Sequence, residues 1–226
     1  LCQDGKRGFC RIFFCFNANT YHRKQRVEKM EHKTCAELLQ ELNALFENCD
    51  DFVLRPINGN GVNGAVCFIK NICDRKYISD RVIAPIVKNC KKDFGGKFEG
   101  LLESASCTVC DTVEQAVEAI LGGNALVAIE TNALYCASVA ADNFSVRGIE
   151  EPTSDVTVKG PRAGFTESGE ENLASLRRII KNTSLKTVSY TVGGLTATKV
   201  FVVYLEGRAS NKVLRQIERV LQNADA

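Results

Sequence analysis

The sequence contains no apolar run that approaches the roughly 20 residues a membrane-spanning helix needs. Its most apolar short stretch, Phe9 to Phe16, is interrupted by Arg11. Tyr21-His22-Arg23-Lys24 follows that stretch, where a secretory signal would have a small-residue cleavage site. We therefore expect a soluble chain without a signal peptide.

Neither sign of charge dominates the composition. The chain has 29 Lys and Arg against 27 Asp and Glu, which leaves a formal net charge of +2. Domains that bind nucleic acid usually carry a strongly basic surface, so this balance predicts no nucleic-acid partner. Apolar residues make up 45% and charged residues 25% of the chain, which is typical of a globular protein.

Histidine is scarce, and the usual catalytic motifs are missing from the sequence. The two histidines, His22 and His32, lie in or beside a polar N-terminal segment, which does not hold a base within hydrogen-bond reach of a nucleophile. Cys107 and Cys110 form a lone Cys-x-x-Cys pair, whereas a structural zinc needs four ligands. No glycine-rich phosphate loop follows a strand. The sequence therefore predicts neither an enzyme nor a bound metal or cofactor.

Cysteine, by contrast, is abundant, with eleven in the chain. An odd number leaves one thiol unpaired in any complete disulfide framework. Most of these cysteines sit inside apolar runs, as Cys67 and Cys136 do, where a reduced cysteine packs as a small apolar residue. This placement predicts free thiols and a reducing compartment.

Secondary-structure signals begin after residues 1–32, which we interpret as a tail or a docking segment. Thr34 and Glu37 form a capping box ahead of apolar residues at helical spacing. Before residue 142 the sequence predicts a strand at 52–57, a turn at 58–61, a strand at 65–69, a helix around 78–87, a loop at 93–100 with a helix start near 101, a helix at 111–121, and strands at 125–129 and 134–140. After residue 165 it predicts a helix from 168, strands at 187–192 and 198–205, and a helix at 213–221.

The order of these elements predicts an α/β (α+β) fold of two lobes. Chain-breaking residues concentrate at 142–165, so we place the connection there, between a first lobe at 33–150 and a second at 151–226. Residues 34–88 and 168–223 share one αββα pattern, and each lobe is expected to hold a small mixed sheet with helices packed on it. The repeat fits a diverged duplication as well as two separate examples of a common layout.

The densest cluster of unusual residues surrounds the start of the helix at 168. In one interpretation Phe165 is an anchor buried between the lobes, Glu167 satisfies backbone N–H groups or an arginine, and the arginines form a solvated face that the fold does not need. In the other interpretation an arginine pairs with carboxylates at an inter-lobe or inter-subunit contact. The candidate residues are Gly160, Pro161, Arg162, Gly164, Phe165, Glu167, Asn172, Arg177 and Arg178.

This cluster also carries a family resemblance. Lys159-Gly-Pro-Arg-Ala-Gly-Phe-Thr-Glu-Ser168, with Asn172 and Leu176-Arg177-Arg178, resembles the signature of the A subunits of bacterial spore germinant receptors, the GerA family. Residues 147–152 and 200–207 resemble the family's flanking stretches, and the likeness covers roughly residues 34–224. The chain departs from the family pattern at Ala163 (usually acidic), Gly169 (usually bulky and apolar) and Ile179 (usually basic).

The resemblance implies the soluble N-terminal region of a receptor A subunit, which takes part in receptor assembly and germination signalling. Such subunits lie in the spore inner membrane and act with a transporter-like B subunit, a lipoprotein C subunit and other A subunits. The complex senses small nutrients such as amino acids or sugars. The resemblance also implies that the chain ends short of the membrane part and that its second lobe is incomplete. The alternative is a free-standing small-molecule binding domain with its ligand in an inter-lobe cleft.

Overall fold

The computed structural model describes residues 33–59, 62–91, 94–102, 106–141 and 164–224. Within them the chain forms a mixed α+β structure with one five-stranded and one two-stranded sheet. The predicted fold class is confirmed. The tail at 1–32 and nearly all of the linker at 142–165 lie outside the described residues, so the domain boundaries stay predictions.

The helices and strands follow the predicted order closely. The first part of the chain, residues 33–141, contains α1 (Cys35–Leu45), β1 (Phe52–Gly59), β2 (Val62–Ile69), α2 (Arg75–Tyr77), a π-helical segment (Ile78–Ile83), α3 (Ala84–Asn89), α4 (Phe98–Leu101), β3 (Cys107–Val109), α5 (Val113–Leu121), β4 (Asn124–Glu130) and β5 (Leu134–Ala140). The second part, residues 164–224, contains α6 (Gly169–Ile179), β6 (Leu185–Val192), β7 (Thr198–Leu205) and α7 (Asn211–Gln222).

The five-stranded sheet has the order β1-β2-β4-β5-β3, and each neighbouring pair is antiparallel. The expectation of sheets mixed in strand direction is corrected here, because β1–β2, β4–β5 and β6–β7 are hairpins and no parallel strand pair forms among the described strands. β3, over the Cys-x-x-Cys pair, is an addition to the prediction. Three residues are too few to show the alternation that reveals a strand.

α1 begins as the sequence predicts. The Thr34 hydroxyl accepts a hydrogen bond from the Glu37 N–H (3.3 Å), and the Glu37 carboxylate accepts one from the Thr34 N–H (2.8 Å). This capping box satisfies two of the N–H groups that a helix start leaves unpaired. The apolar face of the helix buries Leu38 and Leu42 completely against the five-stranded sheet.

The main core lies on this sheet. Its buried members all belong to residues 35–141 except Ala174, which α6 contributes. β4 runs through the middle, with Ala125 to Ile129 fully buried on both faces, as its continuous apolar run predicts. Seven of the eight described cysteines are buried, and Cys107 is half-buried. Burial raises the pKa of Cys35 to about 11 and that of Cys67 to about 12.

The second sheet is the hairpin of β6 and β7, sandwiched between two helices. Gly193, at φ +88°, starts the turn, a conformation that favours glycine. α6 lies on one face, where the Phe201 ring packs against Gly169, and α7 lies on the other. α6 buries five residues, whereas none of the residues of α7 is buried.

Candidate functional site at the junction of the two sheets

The two sheets are joined through the outer edge of β6. Asn48, in the turn after α1, accepts a hydrogen bond from the Thr187 N–H (2.9 Å). The Asp50 N–H then donates to the Thr187 carbonyl (2.8 Å), which makes an isolated parallel bridge between Cys49 and Thr187. Two backbone hydrogen bonds and this single bridge therefore join residues 48–50 to the outer edge of β6 at Thr187.

A buried ion pair lies directly behind this bridge. Arg177, on α6, donates through Nε to Asp51 Oδ2 (2.7 Å) and through Nη2 to Asp51 Oδ1 (2.9 Å). The Thr187 hydroxyl donates to Asp51 Oδ1 (2.5 Å). Arg177 and Asp51 are each 1% exposed. A guanidinium fork matches the two carboxylate oxygens in a fixed geometry, so this pair sets both distance and orientation between α6 and the start of β1.

The surroundings of Arg177 keep its guanidinium charged. Burial by itself disfavours the charged guanidinium, but the hydrogen bonds and the charge of Asp51 outweigh it and raise the pKa of Arg177 above its ordinary value. Burial also raises the pKa of the Cys49 thiol, against the opposing effect of the neighbouring Arg177. Removing either partner of the pair would leave a buried charge uncompensated, which typically costs about 3–5 kcal/mol.

Two further contacts fix β6 to the turn between α1 and β1. The buried Lys186 ammonium donates to the Leu45 carbonyl (3.2 Å) and lies 3.5 Å from the Glu206 carboxylate. On the exposed side, the Asp50 carboxylate accepts from both the N–H and the hydroxyl of Ser189 (2.7 Å each). Contacts at three positions along β6 thus hold the junction in one register.

Hydrogen bonds at the start of α6 hold the helix that carries Arg177 in position. The Asn172 side chain, 3% exposed, accepts from the Thr166 N–H and donates to the Thr166 carbonyl, each at 2.7 Å. The Ser168 hydroxyl caps the helix by accepting from the Glu171 N–H (3.3 Å). Because Asn172 is bonded to Thr166 through both its oxygen and its nitrogen, the start of α6 is held in place, and so is the buried face of the helix that carries Arg177.

Comparison with known proteins identifies the family. The family model described as Bacillus/Clostridium GerA spore germination protein matches residues 40–226. The chain belongs to the GerA family. The match covers both sheets and the junction between them, and the family predicted from the motif at 159–178 is confirmed.

Two relatives from Bacillus subtilis (strain 168) illustrate the similarity. The uncharacterized membrane protein YfkQ is 30% identical over 191 residues, which is 81% of this chain. Spore germination protein KA is 28% identical over 202 residues, or 85% of this chain. The chain spans 36% of the length of each of these relatives.

A solved structure shares the fold of this GerA-family chain. The crystal structure of the N-terminal domain of the A subunit of the Bacillus megaterium spore germinant receptor GerK3 matches with a TM-score of 0.65 at 24% identity. The match covers 89% of this chain and 75% of the solved one.

The predicted site residues fall into distinct groups. Arg177 pairs with the Asp51 carboxylate and is buried, so the expectation that it belongs to a solvated face is wrong. Arg178, its neighbour, is exposed. Asn172 is buried and fixes the helix entry. Gly160, Pro161 and Arg162 lie outside the described residues.

Two predictions about the helix entry are wrong. Phe165 is 52% exposed and does not fill a space between the lobes. Glu167 is exposed and makes no hydrogen bond or ion pair with any other described residue, because Ser168 and Asn172 already take the N–H groups that it was expected to satisfy. Gly164 is exposed, and no described atom near it requires a glycine there.

Sequence reasoning missed the partner of Arg177. No local signal in the sequence marks Asp51 as that partner, and Thr187 is predicted only as the first residue of the strand at 187–192. One signal was available in α6, where Leu173, Leu176 and Ile180 form the apolar stripe. Arg177 lies on that stripe, four residues after Leu173, and a charged residue on a buried stripe requires a buried partner.

A groove of about 520 Å³ separates α7 from the β6–β7 sheet. Its lining combines two tyrosines, two asparagines, one acid, one base and four aliphatic side chains: Asn48, Val188, Tyr190, Val202, Tyr204, Asn211, Leu214, Arg215, Ile217 and Glu218. Only Asn48 comes from the first part of the chain, so the groove is not the predicted inter-lobe cleft.

Neither a metal-ligand cluster nor a membrane-spanning helix occurs in the described residues. Among them, no group of three or more histidine, cysteine, aspartate or glutamate side chains could hold a metal ion. Within the same residues, no helix has both the length and the apolar character needed to cross a membrane.

Proposed function

We propose that this chain is the soluble N-terminal domain of a spore germinant receptor A subunit and takes part in receptor assembly and germination signalling. The observation that carries the proposal is the GerA family match over residues 40–226. The fold shared with the N-terminal domain of the GerK3 A subunit supports it further. The role is one of protein contacts rather than catalysis.

The junction gives this role a physical basis. A displacement of one sheet can reach the other only through elements that are packed or hydrogen-bonded to both. The Arg177–Asp51 pair, the bridge at Cys49 and Thr187, and the Lys186 contact meet this requirement. We propose that they make the two sheets respond as one unit when a neighbouring subunit moves.

The partners follow from the family rather than from the geometry. We infer that the chain acts in the spore inner membrane with a transporter-like B subunit, a lipoprotein C subunit and other A subunits. Its described part would lie in a reducing, cytoplasmic compartment, in keeping with its buried cysteines.

A germination assay in spores tests the proposal. Spores of the source organism would carry this gene as a deletion, as wild type, as Arg177→Ala or as Lys181→Ala. We expect the deletion and Arg177→Ala to lose the response to at least one nutrient and to reduce recovery of the partner subunits by co-purification. Lys181, just after the same helix, is exposed, so Lys181→Ala is the control and should behave as wild type. A deletion that germinates normally with every amino acid and sugar tested would overturn the proposal.

The groove beside α7 favours a second candidate function, that of a small-molecule binding domain. Arg215 and Glu218 place opposite charges one helical turn apart, facing Tyr190 and Tyr204. Such a domain would bind an amino acid or sugar without any partner subunit. Titration of residues 1–226 with these nutrients, followed by NMR, should show saturable shifts at the groove if this candidate is correct and none if the receptor role is the only one.

A further inference from the structure

The two cysteines of the Cys-x-x-Cys pair lie at the edge of the five-stranded sheet, where they cannot bond each other. Cys107 begins β3, and the ladder continues to Cys110, whose N–H donates to the Cys136 carbonyl (2.9 Å). Three steps along an extended strand separate Cα atoms by roughly 10 Å and turn the side chains to opposite faces. A disulfide needs Cα atoms within about 7 Å. The two cysteines of the motif therefore stay apart while β3 is formed.

The strand register gives Cys110 a different partner. β3 and β5 pair Val109 with Ala137, so the next step places Cys110 directly opposite Cys136. Residues that are opposite each other in an antiparallel pair share one face of the sheet, and where a backbone hydrogen bond joins them their Cα atoms lie about 5.5 Å apart. Disulfides form at Cα separations of about 4.4–6.8 Å. Cys110 and Cys136 therefore meet the geometric requirement that the motif itself fails.

Other thiols on this face of the sheet are less well placed. β4 lies between β2, which carries Cys67, and β5, so those two strands are roughly 10 Å apart. Burial is the main cause that raises the pKa of the Cys136 thiol. Among the neighbouring thiols, Cys110 contributes more to that rise than Cys35 or Cys67 does. The electrostatics thus agree with the register that Cys110 is the nearest thiol.

Both cysteines are free thiols with little solvent contact. Cys110 is 6% and Cys136 is 3% exposed. The Cys110 thiol lies 3.8 Å from the Thr108 carbonyl, a weak hydrogen bond that is readily given up. β3 has three residues and pairs only with β5 among the described strands. A short edge strand opens locally far more often than the whole protein unfolds, and such opening admits a small oxidant.

We propose that Cys110 and Cys136 are a redox-sensitive pair, which hydrogen peroxide converts into a cross-strand disulfide that pins β3 to β5. The Cys110 thiolate attacks one peroxide oxygen, the O–O bond breaks with loss of hydroxide, and Cys110 becomes a sulfenic acid. The Cys136 thiolate then attacks that sulfur, the S–S bond forms and a second hydroxide leaves. The two protons given up by the thiols convert both hydroxides to water. Two thiols are thereby oxidised by two electrons, and one peroxide is reduced.

The link would act on the first part of the chain. α5 begins directly after Cys110, with Thr112 as its cap, so the disulfide would hold both β3 and the start of this helix on the sheet. β1, which follows Asp51, forms the opposite edge of the same sheet. The proposed site is therefore separate from the junction with the second sheet.

Peptide mapping of residues 1–226 tests the proposal without any mutation. The reduced protein would be treated with hydrogen peroxide, blocked with iodoacetamide and digested without reductant. Among the described cysteines, we expect the link between Cys110 and Cys136 to exceed every other pair at least about tenfold. Dithiothreitol should reverse it.

Two variants separate this pair from the sequence motif. Cys107→Ala removes the other cysteine of the motif and should leave the yield of the Cys110–Cys136 link within about twofold of wild type. Cys110→Ala removes one partner and should leave Cys136 reduced under the same treatment.

Hydrogen exchange measures whether the link pins the edge strand. The Cys110 amide, which bonds the Cys136 carbonyl, should exchange at least about tenfold more slowly in the oxidised than in the reduced protein. The Asp50 amide, which bonds Thr187 at the junction, is the internal control and should not change.

Four results would overturn the proposal. A dominant link between Cys107 and Cys110 would make the motif itself the redox pair. A dominant link from Cys136 to Cys35 or Cys67 would mean that the strand register does not select the partner. Oxidation that links no described cysteines would leave Cys110 and Cys136 as structural thiols. Unchanged exchange of the Cys110 amide in the linked protein would show that the disulfide does not pin β3.

Discussion

The two sheets differ in how they are held together. The five-stranded sheet rests on a continuous apolar core, to which the second part of the chain adds only Ala174. The two-stranded sheet has a few buried apolar residues on its α6 side, such as Leu173, Leu176 and Phe201, and its other helix, α7, buries none. The second part of the chain depends instead on polar contacts to the first, centred on Asp51 and Arg177.

This difference explains why a charged pair is buried where apolar packing would be the simpler choice. A two-stranded sheet has too little apolar surface to fix its own orientation. A bidentate ion pair is directional, so it fixes the angle at which α6 meets the first sheet. The first sheet is stabilised by apolar burial, and the ion pair fixes the orientation of the second sheet on it.

The largest effect is expected at the junction. Arg177→Ala should lower the free energy of unfolding by about 3–5 kcal/mol, because Asp51 is left buried and unpaired. Lys181→Ala, at an exposed position just after the same helix, should stay within about 0.5 kcal/mol of wild type. Urea unfolding followed by circular dichroism measures both. Equal losses in the free energy of unfolding for the two variants would mean that the ion pair is not the source of the stabilisation.

Truncating one apolar side chain in each part of the chain should show that the two sheets differ in how much stability apolar packing gives them. Leu42→Ala empties a fully buried position on α1 and should cost about 2–5 kcal/mol. Val220→Ala, on the exposed flank of α7, should change stability by no more than about 0.5 kcal/mol. Thermal unfolding of the two variants of residues 1–226 provides the comparison. A costly Val220→Ala would show that α7 is packed more firmly than its exposure indicates.

Phe165 should matter less than a buried aromatic does. Burial between lobes would make Phe165→Ala cost about 3–5 kcal/mol. With the ring 52% exposed, we expect a loss below about 1 kcal/mol. The same urea titration decides between the two values, and a loss in the higher range would place the ring back in a packed site.

The smallest effect concerns thiol chemistry and leaves stability unchanged. The thiolate is the reactive form, and burial raises the pKa of Cys67 to about 12, so this thiol stays protonated at pH 8. Cys107, half-buried on β3, is the most accessible described thiol. Iodoacetamide should label it at least about 100-fold faster than Cys67 in the native protein. Comparable rates, measured by peptide mapping with denatured protein as the control, would contradict the burial of Cys67.

Local signals were enough to predict most of the fold. The capping box at Thr34, the apolar run of β4 and the alternation in β6 and β7 each depend on neighbouring residues, and each element forms where it was predicted. The π-helical segment at Ile78–Ile83 was missed, because its apolar spacing resembles that of an ordinary helix.

The candidate site depends on contacts that local signals do not contain. Asp51 and Arg177 are 126 residues apart, and nothing near Asp51 in the sequence indicates an arginine partner. The motif at 159–178 points to the right helix through family resemblance, yet Phe165 is not the buried anchor that it predicts, and Ser168 and Asn172 fill the role predicted for Glu167. The buried face of α6 was the one physical clue to Arg177.

A double-mutant cycle between Asp51 and Arg177 tests the account most directly. The free energies of unfolding of Asp51→Ala, Arg177→Ala and the double variant would be measured against wild type in residues 1–226. If the pair fixes the second sheet to the first, the double variant should lose much less than the sum of the single losses, with a coupling energy toward the upper end of about 0.5–3 kcal/mol. Single losses that simply add would contradict the account, because Asp51 and Arg177 would then stabilise the protein independently.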